Sequence, residues 1–187
     1  MSDVSDEVLA ARLQGGDHHA LALLMERYTR KLLQYGARLL PREPDIDDLV
    51  QDIFITVYRN IQDFDPTRRF SPWIYRIAHN IFVDTIRRRH KESVRFFEFD
   101  RLIPHPVYHD PTPQEKEDAE MRVLVQKGLE HLTPAYREII DLYYFENFSY
   151  REIADILHVP IGTVGIRLAR AREALKSHIP EREINQE

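Results

Sequence analysis

The residues best suited to chemistry in this sequence are arginines at helical spacing. Near the C-terminus, Thr163, Arg167 and Arg170 form one stripe, and Gly165, Ala169, Arg172 and Lys176 form its neighbour. A guanidinium fork can pair with O6 and N7 of a guanine, or with a phosphate. Gly162-Thr163-Val164-Gly165 puts small residues at the start of this helix, where free N–H groups also suit a phosphate. A second basic run, Arg87-Arg88-Arg89-His90-Lys91, ends an earlier helix, and residues 68–101 carry a local charge of +5. Phe70, Trp73, Tyr75 and Phe82 interleave with that charge. Basic and aromatic groups side by side can hold a strand whose bases stack or flip out, although Trp73 and Phe82 at helical spacing are more often core residues. Asn80 and Asp84 are four apart and share a helix face, where they can hydrogen-bond an extruded base or face water.

Enzyme chemistry is poorly served. There is no glycine-rich phosphate loop, no Glu-x-x-His pair and no nucleophile motif. The absence of cysteine excludes thiol nucleophiles, disulfides and cysteine-ligated zinc. His105-Pro106-Val107-Tyr108-His109-Asp110 lies in a proline-rich stretch and reads as a chance cluster, and adjacent His18 and His19 cannot both face one ligand from a helix. The expectation is a protein that is not an enzyme and uses no metal or cofactor.

Few glycines and an apolar period near 3.6 predict an all-α chain that positions these groups. Asp17 caps a helix to about Leu40 carrying Leu21, Leu24, Met25, Tyr28, Leu32 and Tyr35. Asp45 caps the next, with Val50, Phe54, Val57, Tyr58 and Ile61 as its apolar stripe. Its outer face is acidic, with Asp48, Asp52 and Asp63 beside Asp47 and Gln51. Such a face suits a basic protein partner or water, and not DNA. Ser71-Pro72 reads as a cap before a helix through Lys91. From Ser93 to Pro113 the period fails, and prolines mark a linker of partly extended backbone.

Helical pattern resumes near Gln114. Thr133-Pro134 opens a helix to about Phe145, and Ser149-Tyr150-Arg151-Glu152 is a capping box. The last two helices, joined by a tight turn, have the layout of a helix-turn-helix, with Val164, Leu168, Ala171 and Leu175 packing inward. The expected organisation is two small helical domains, 1–92 and 120–187, joined by a proline-containing linker over 93–119.

The chain has 187 residues, 43% of them hydrophobic, which suits two small domains with packed cores and excludes wholesale disorder. No apolar run approaches a membrane span, and the acidic N-terminus has no hydrophobic signal core, so the expected location is the cytoplasm. The formal net charge of −5 argues against a simple basic nucleic-acid binder. It conceals an uneven distribution: residues 68–101 and 149–178 together carry +7, and the remainder carries −12.

Three stretches together resemble the extracytoplasmic-function (ECF) group of bacterial sigma-70-type RNA polymerase sigma factors. The first is Asp45-Ile46-Asp47-Asp48-Leu49-Val50-Gln51-Asp52-Ile53-Phe54. The second runs from Phe64-Asp65-Pro66 through Phe70-Ser71-Pro72-Trp73-Ile74-Tyr75-Arg76 to Asn80, Asp84 and Arg87-Arg88-Arg89. The third joins Leu132-Thr133-Pro134 to Ser149-Tyr150-Arg151-Glu152-Ile153-Ala154 and to Gly162-Thr163-Val164 with Arg167 through Arg172.

The resemblance implies that residues 1–92 are sigma region 2 and residues 120–187 sigma region 4. It implies that Asp48, Leu49, Gln51, Asp52 and Phe54 dock on the coiled coil of the polymerase β′ subunit. Arg76, Asn80, Asp84, Arg87 and Arg88 would open and read the −10 element, with the turn before their helix helping to hold a flipped base. Thr163, Arg167, Arg170, Arg172 and Lys176 would read the −35 duplex, with the same domain docking on the β flap. It also implies promoter DNA and an anti-sigma factor as partners, the latter able to hold the chain at the membrane without insertion.

One departure is visible. Relatives often read Gly-Thr-Val-Lys-Ser-Arg-Leu where this chain has Gly165 and Ile166 in place of the basic and hydroxyl residues. A changed −35 preference is expected. The rival is a stand-alone helix-turn-helix regulator acting without polymerase, which leaves the acidic helix and the aromatic-basic helix unexplained.

Overall fold

The computed structural model describes residues 4–40, 44–89 and 128–176. The chain divides into two compact units, Met1–Lys91 and Glu92–Glu187. Among the described residues there are seven α-helices and no strand. The 93–113 linker and most of the helix expected from Gln114 lie outside the described residues.

The first unit holds α1 (Asp6–Gln14), α2 (His18–Leu39), α3 (Ile46–Asn60) and α4 (Phe70–Arg89). Its core is built from one stripe of each: Leu9, Ala10 and Leu13 of α1; Leu24, Tyr28, Leu32 and Tyr35 of α2; Val50, Ile53, Phe54 and Val57 of α3; Phe70, Ile74, Tyr75, Ala78, Phe82 and Ile86 of α4. Each fully buried large side chain contributes about 1.5–3 kcal/mol through removal from water. The aromatics meet as tilted or edge-on pairs, such as Tyr35 with Tyr75 at 5.2 Å and Phe82 at 5.4 Å. Met25 and Tyr58, expected in apolar stripes, are exposed at the margins of theirs, and Tyr58 stands against His18 at 5.7 Å.

Caps decide where these helices begin. Asp17 accepts the His19 N–H at 3.0 Å and starts α2 as expected. Asp45 holds the cap position of α3, but its side chain does not cap. Ser71 is not the cap of α4, because that helix starts at Phe70, whose N–H donates to Glu7 Oε1 of α1 at 3.0 Å. Partial burial works to raise the Glu7 pKa. The hydrogen bonds from the Phe70 and Glu7 N–H groups and from Ser5 outweigh it, so the carboxyl sits below its ordinary 4.5. A lowered carboxylate pKa stabilises the fold above about pH 4.5, and that contribution is lost as pH falls through the folded value. Glu7→Gln keeps an acceptor but removes the titration. Urea unfolding should therefore show a stability gap between parent and variant that narrows on acidification below pH 4.5.

Gly36 is where α2 lies closest to its neighbours. A Cβ there would come within 2.9 Å of the Phe82 ring and 3.0 Å of the Ile46 side chain. Gly36→Ala should lower stability by about 1–2 kcal/mol, because overpacking outweighs the gain in helix propensity. Denaturant unfolding of the full chain measures it, and an unchanged midpoint would contradict this contact.

In the described part of the second unit a 3-10 turn at Leu129–His131 precedes α5 (Pro134–Ile140), which continues as a π-helical turn over Asp141–Phe145. Buried Arg137 fastens the turn to α5 by donating to Leu129 O at 2.9 Å and Leu132 O at 3.0 Å. Then come α6 (Tyr150–Leu157) and α7 (Ile161–Lys176). The capping box is present: Ser149 N–H donates to Glu152 at 2.9 Å and Glu152 N–H donates to Ser149 Oγ at 3.3 Å. His158 takes the left-handed conformation that ends α6, and Thr163 N–H bonds Pro160 O at 2.9 Å, so only three residues separate the two helices. Val164, Leu168, Ala171 and Leu175 are fully buried, as their spacing predicts.

Candidate nucleic-acid and polymerase interface

Three surfaces carry the predicted groups. The first is the outward face of α4. Its apolar stripe turns Arg76, Asn80, Asp84 and Arg88 outward at intervals of four, with Arg87 beside them. Asn80, Asp84, Arg87 and Arg88 are exposed, and Arg76 is half-buried. Asp84 restrains both arginines: Arg87 Nη1 lies 3.4 Å from its carboxylate, and Arg88 Nε donates to its backbone oxygen at 3.3 Å. The three residues line an open depression. An arginine pair held this way presents N–H donors to a phosphate or base edge at reduced entropic cost.

Before α4 comes an exposed turn over residues 65–69. Asp65 organises it by accepting from Thr67 N–H at 2.9 Å and Thr67 Oγ1 at 2.7 Å. The Thr67 hydroxyl, then its N–H, hold the Asp65 carboxyl below its ordinary range. Beneath the turn, Phe64, Phe70 and half-buried Trp73 form a triangle with ring centres 5.3–5.6 Å apart. Phe70, Tyr75 and Phe82 are core residues; Phe70 and Trp73 support the turn from below, whereas Tyr75 and Phe82 pack on Tyr35 of α2.

The second surface is the outer face of α3. Asp48, Gln51 and Asp52 are exposed, and Leu49 is half-buried. Phe54, expected among the docking residues, is only 4% exposed, so it is a core residue and lies off the outer face of α3. The apolar group on that face is Ile55, 46% exposed and three and four residues beyond Asp52 and Gln51. The α3 helix packs against both α2 and α4, so its buried arc is wide enough to take in Phe54.

The third surface is α7. Arg170 is half-buried and Lys176 exposed. Arg172 is half-buried, donates to Tyr144 Oη at 2.6 Å and lies over the Tyr143 and Tyr144 rings. Thr163 and Arg167, expected on an exposed stripe, are 6% and 4% exposed. At 100° per residue, Arg167 lies about 60° from the Val164 direction, on the shoulder of the buried stripe. Thr163 sits in the first turn, four residues before Arg167 on the same side. The outward ridge holds Ile166 and Ala169 between Arg170 and Lys176, and Ile161, at the start of the helix, is exposed as well.

Comparison with known proteins decides between a promoter-specificity subunit and a regulator. Residues 24–92 match the family model for Sigma-70 region 2, and residues 122–175 match Sigma-70, region 4. The chain is 33% identical over 174 residues to the ECF RNA polymerase sigma factor SigW of Bacillus subtilis, covering 90% of this chain and 93% of that protein. The chain belongs to the ECF group of sigma-70 RNA polymerase sigma factors. The ECF sigma-E factor of Escherichia coli K12 is 34% identical over 182 residues, or 94% of this chain and 95% of that protein.

A solved structure of CnrH with the cytosolic domain of CnrY matches 97% of this sigma factor and 99% of that chain, at 26% identity and a TM-score of 0.65. As a sigma factor, the chain directs promoter-specific initiation by RNA polymerase, and the stand-alone regulator is not favoured. Among its described residues no helix is long and apolar enough to cross a membrane, and no cluster of three His, Asp or Glu could hold a metal ion. The His105–Asp110 cluster lies outside the described residues.

Proposed function

We propose that the three surfaces divide the work of initiation. The acidic α3 face, with Asp48, Gln51, Asp52 and Ile55, docks on a basic surface of core polymerase, with Leu49 at its edge. The α4 ridge of Arg76, Asn80, Asp84, Arg87 and Arg88, with the 65–69 turn, captures bases of the opening −10 element. The α7 ridge of Arg170, Arg172 and Lys176 meets the −35 duplex, with Ile161 and Ile166 available to thymine methyl groups. The units up to residue 92 and from residue 120 are the two readers, and the 93–119 linker spaces them.

The chain makes no covalent bond. Its free-energy contribution comes from base capture and phosphate contacts. The relative CnrH was solved with the cytosolic domain of CnrY, and an anti-sigma partner of this kind is proposed here as well.

The observation that carries the assignment is the separation of one acidic face and one arginine ridge onto α3 and α4 of a single unit. A regulator that binds duplex DNA by itself has no use for the first. Gel shift of promoter duplex with and without core polymerase tests it. Retardation that requires core is expected. Tight binding of a palindromic duplex by the chain alone would overturn the assignment.

A further inference from the structure

Helix α1 lies outside the region 2 match, which begins at residue 24, and no role attaches to it so far. Its polar side chains converge on the two ends of one loop. Gln14, the last residue of α1, uses both amide hydrogens on backbone oxygens, Ile61 O at 2.8 Å and Phe64 O at 2.7 Å. Gln62 Nε2 returns a bond to Gln14 O at 3.0 Å. At the far end Glu7 accepts the Phe70 N–H at 3.0 Å. Between these anchors residues 65–69 are exposed, and the Phe64 and Phe70 rings, 5.4 Å apart, close the loop beneath.

The helix is itself fastened to α2. Arg27 donates to Val4 O at 2.7 Å and to Asp6 Oδ1 at 2.6 Å, and Tyr28 donates to Asp6 Oδ2 at 2.6 Å. Leu9, Ala10 and Leu13 add core contacts. The outer residue Val8 stays exposed and makes no part of the anchor.

We propose that α1 is a positioning element for base capture, with Gln14 and Glu7 holding the two ends of the 64–70 loop in the shape that the opened −10 strand meets. The inference rests on the sigma assignment and deepens it. A loop of this length left to water would lose conformational freedom only when the base arrives, and that loss would be subtracted from the capture energy. Anchoring Ile61 O, Phe64 O and Phe70 N–H during folding moves the loss to an earlier step. Neither Gln14 nor Glu7 needs to touch DNA for this.

The test uses the full chain with core polymerase on a promoter carrying 2-aminopurine in the −10 non-template strand. Gln14→Met and Glu7→Met should each lower the equilibrium extent of opening about tenfold, the effect of losing one to two hydrogen bonds. Glu7→Gln keeps an acceptor for Phe70 and should recover most of the loss. Val8→Ser should open the promoter as the parent does. Affinity for core polymerase should stay at the parental value in all four, which separates positioning from general stability. Parental opening by Gln14→Met and Glu7→Met would overturn the inference alone, as would a loss of opening matched by an equal loss of core affinity. A parent chain that opens no promoter with core would overturn the sigma assignment as well.

Discussion

Ile55→Arg should weaken binding to core RNA polymerase by about 2–4 kcal/mol, or about 30- to 1000-fold in Kd. Ile55 is half in solvent, with Asp48, Gln51 and Asp52 on the same face of α3. An apolar side chain beside two acids and a glutamine has the form of a docking centre: the apolar group gains by leaving water, and the acids steer a basic partner to it. Arginine adds bulk and a like charge against the proposed basic partner, so the loss exceeds that of truncation. The side chain lies outside the buried core, and thermal unfolding of the variant should stay close to the parent. Titration of fluorescently labelled chain with core polymerase measures the effect. A Kd within twofold of the parent would remove Ile55 from the interface.

Arg170→Ala should cost about 1–3 kcal/mol of −35 recognition if its fork is bidentate to a guanine. Burial of Thr163 and Arg167 leaves Arg170, Arg172 and Lys176 as the accessible basic groups among those five expected contacts. Of these, Arg172 already spends its Nε on Tyr144. Holoenzyme binding to duplexes varied at each −35 position separates the two ways Arg170 could act. Relaxed preference at one position with an unchanged salt slope identifies a base contact. A uniform loss with a slope reduced by about one identifies a phosphate contact. Equal activity of variant and parent on a −35-dependent promoter would refute the assignment.

Most of the fold was legible because helices declare themselves locally. Asp17, Thr133 and Ser149 each bond an N–H two or three residues ahead, so their caps can be read from a few letters. Val164, Leu168, Ala171 and Leu175 repeat at helical spacing and are buried as that spacing requires. The failures share a different cause. Glu7 caps α4 from 63 residues away, and nothing near Ser71 announces that a distant carboxylate has taken its place. Phe54 and Ile55 are adjacent and both apolar, and only the two neighbours of α3 decide which one is buried. Arginine is seldom buried, yet Arg167 is 4% exposed because it stands on the shoulder of a buried stripe.

Charge followed the same logic. The formal −5 is a sum over the whole chain that conceals its basic stretches. The arginine ridge of α4 and the acidic face of α3 belong to one unit, so a single net charge sums two surfaces of opposite sign.

In vitro transcription from a genomic promoter library, with core polymerase and with or without the full chain, tests the central claim most directly. The account predicts transcripts that require both proteins and that start from promoters sharing one pair of −35 and −10 elements at a fixed separation. Absence of any chain-dependent transcript, with core shown active by another sigma factor, would contradict it.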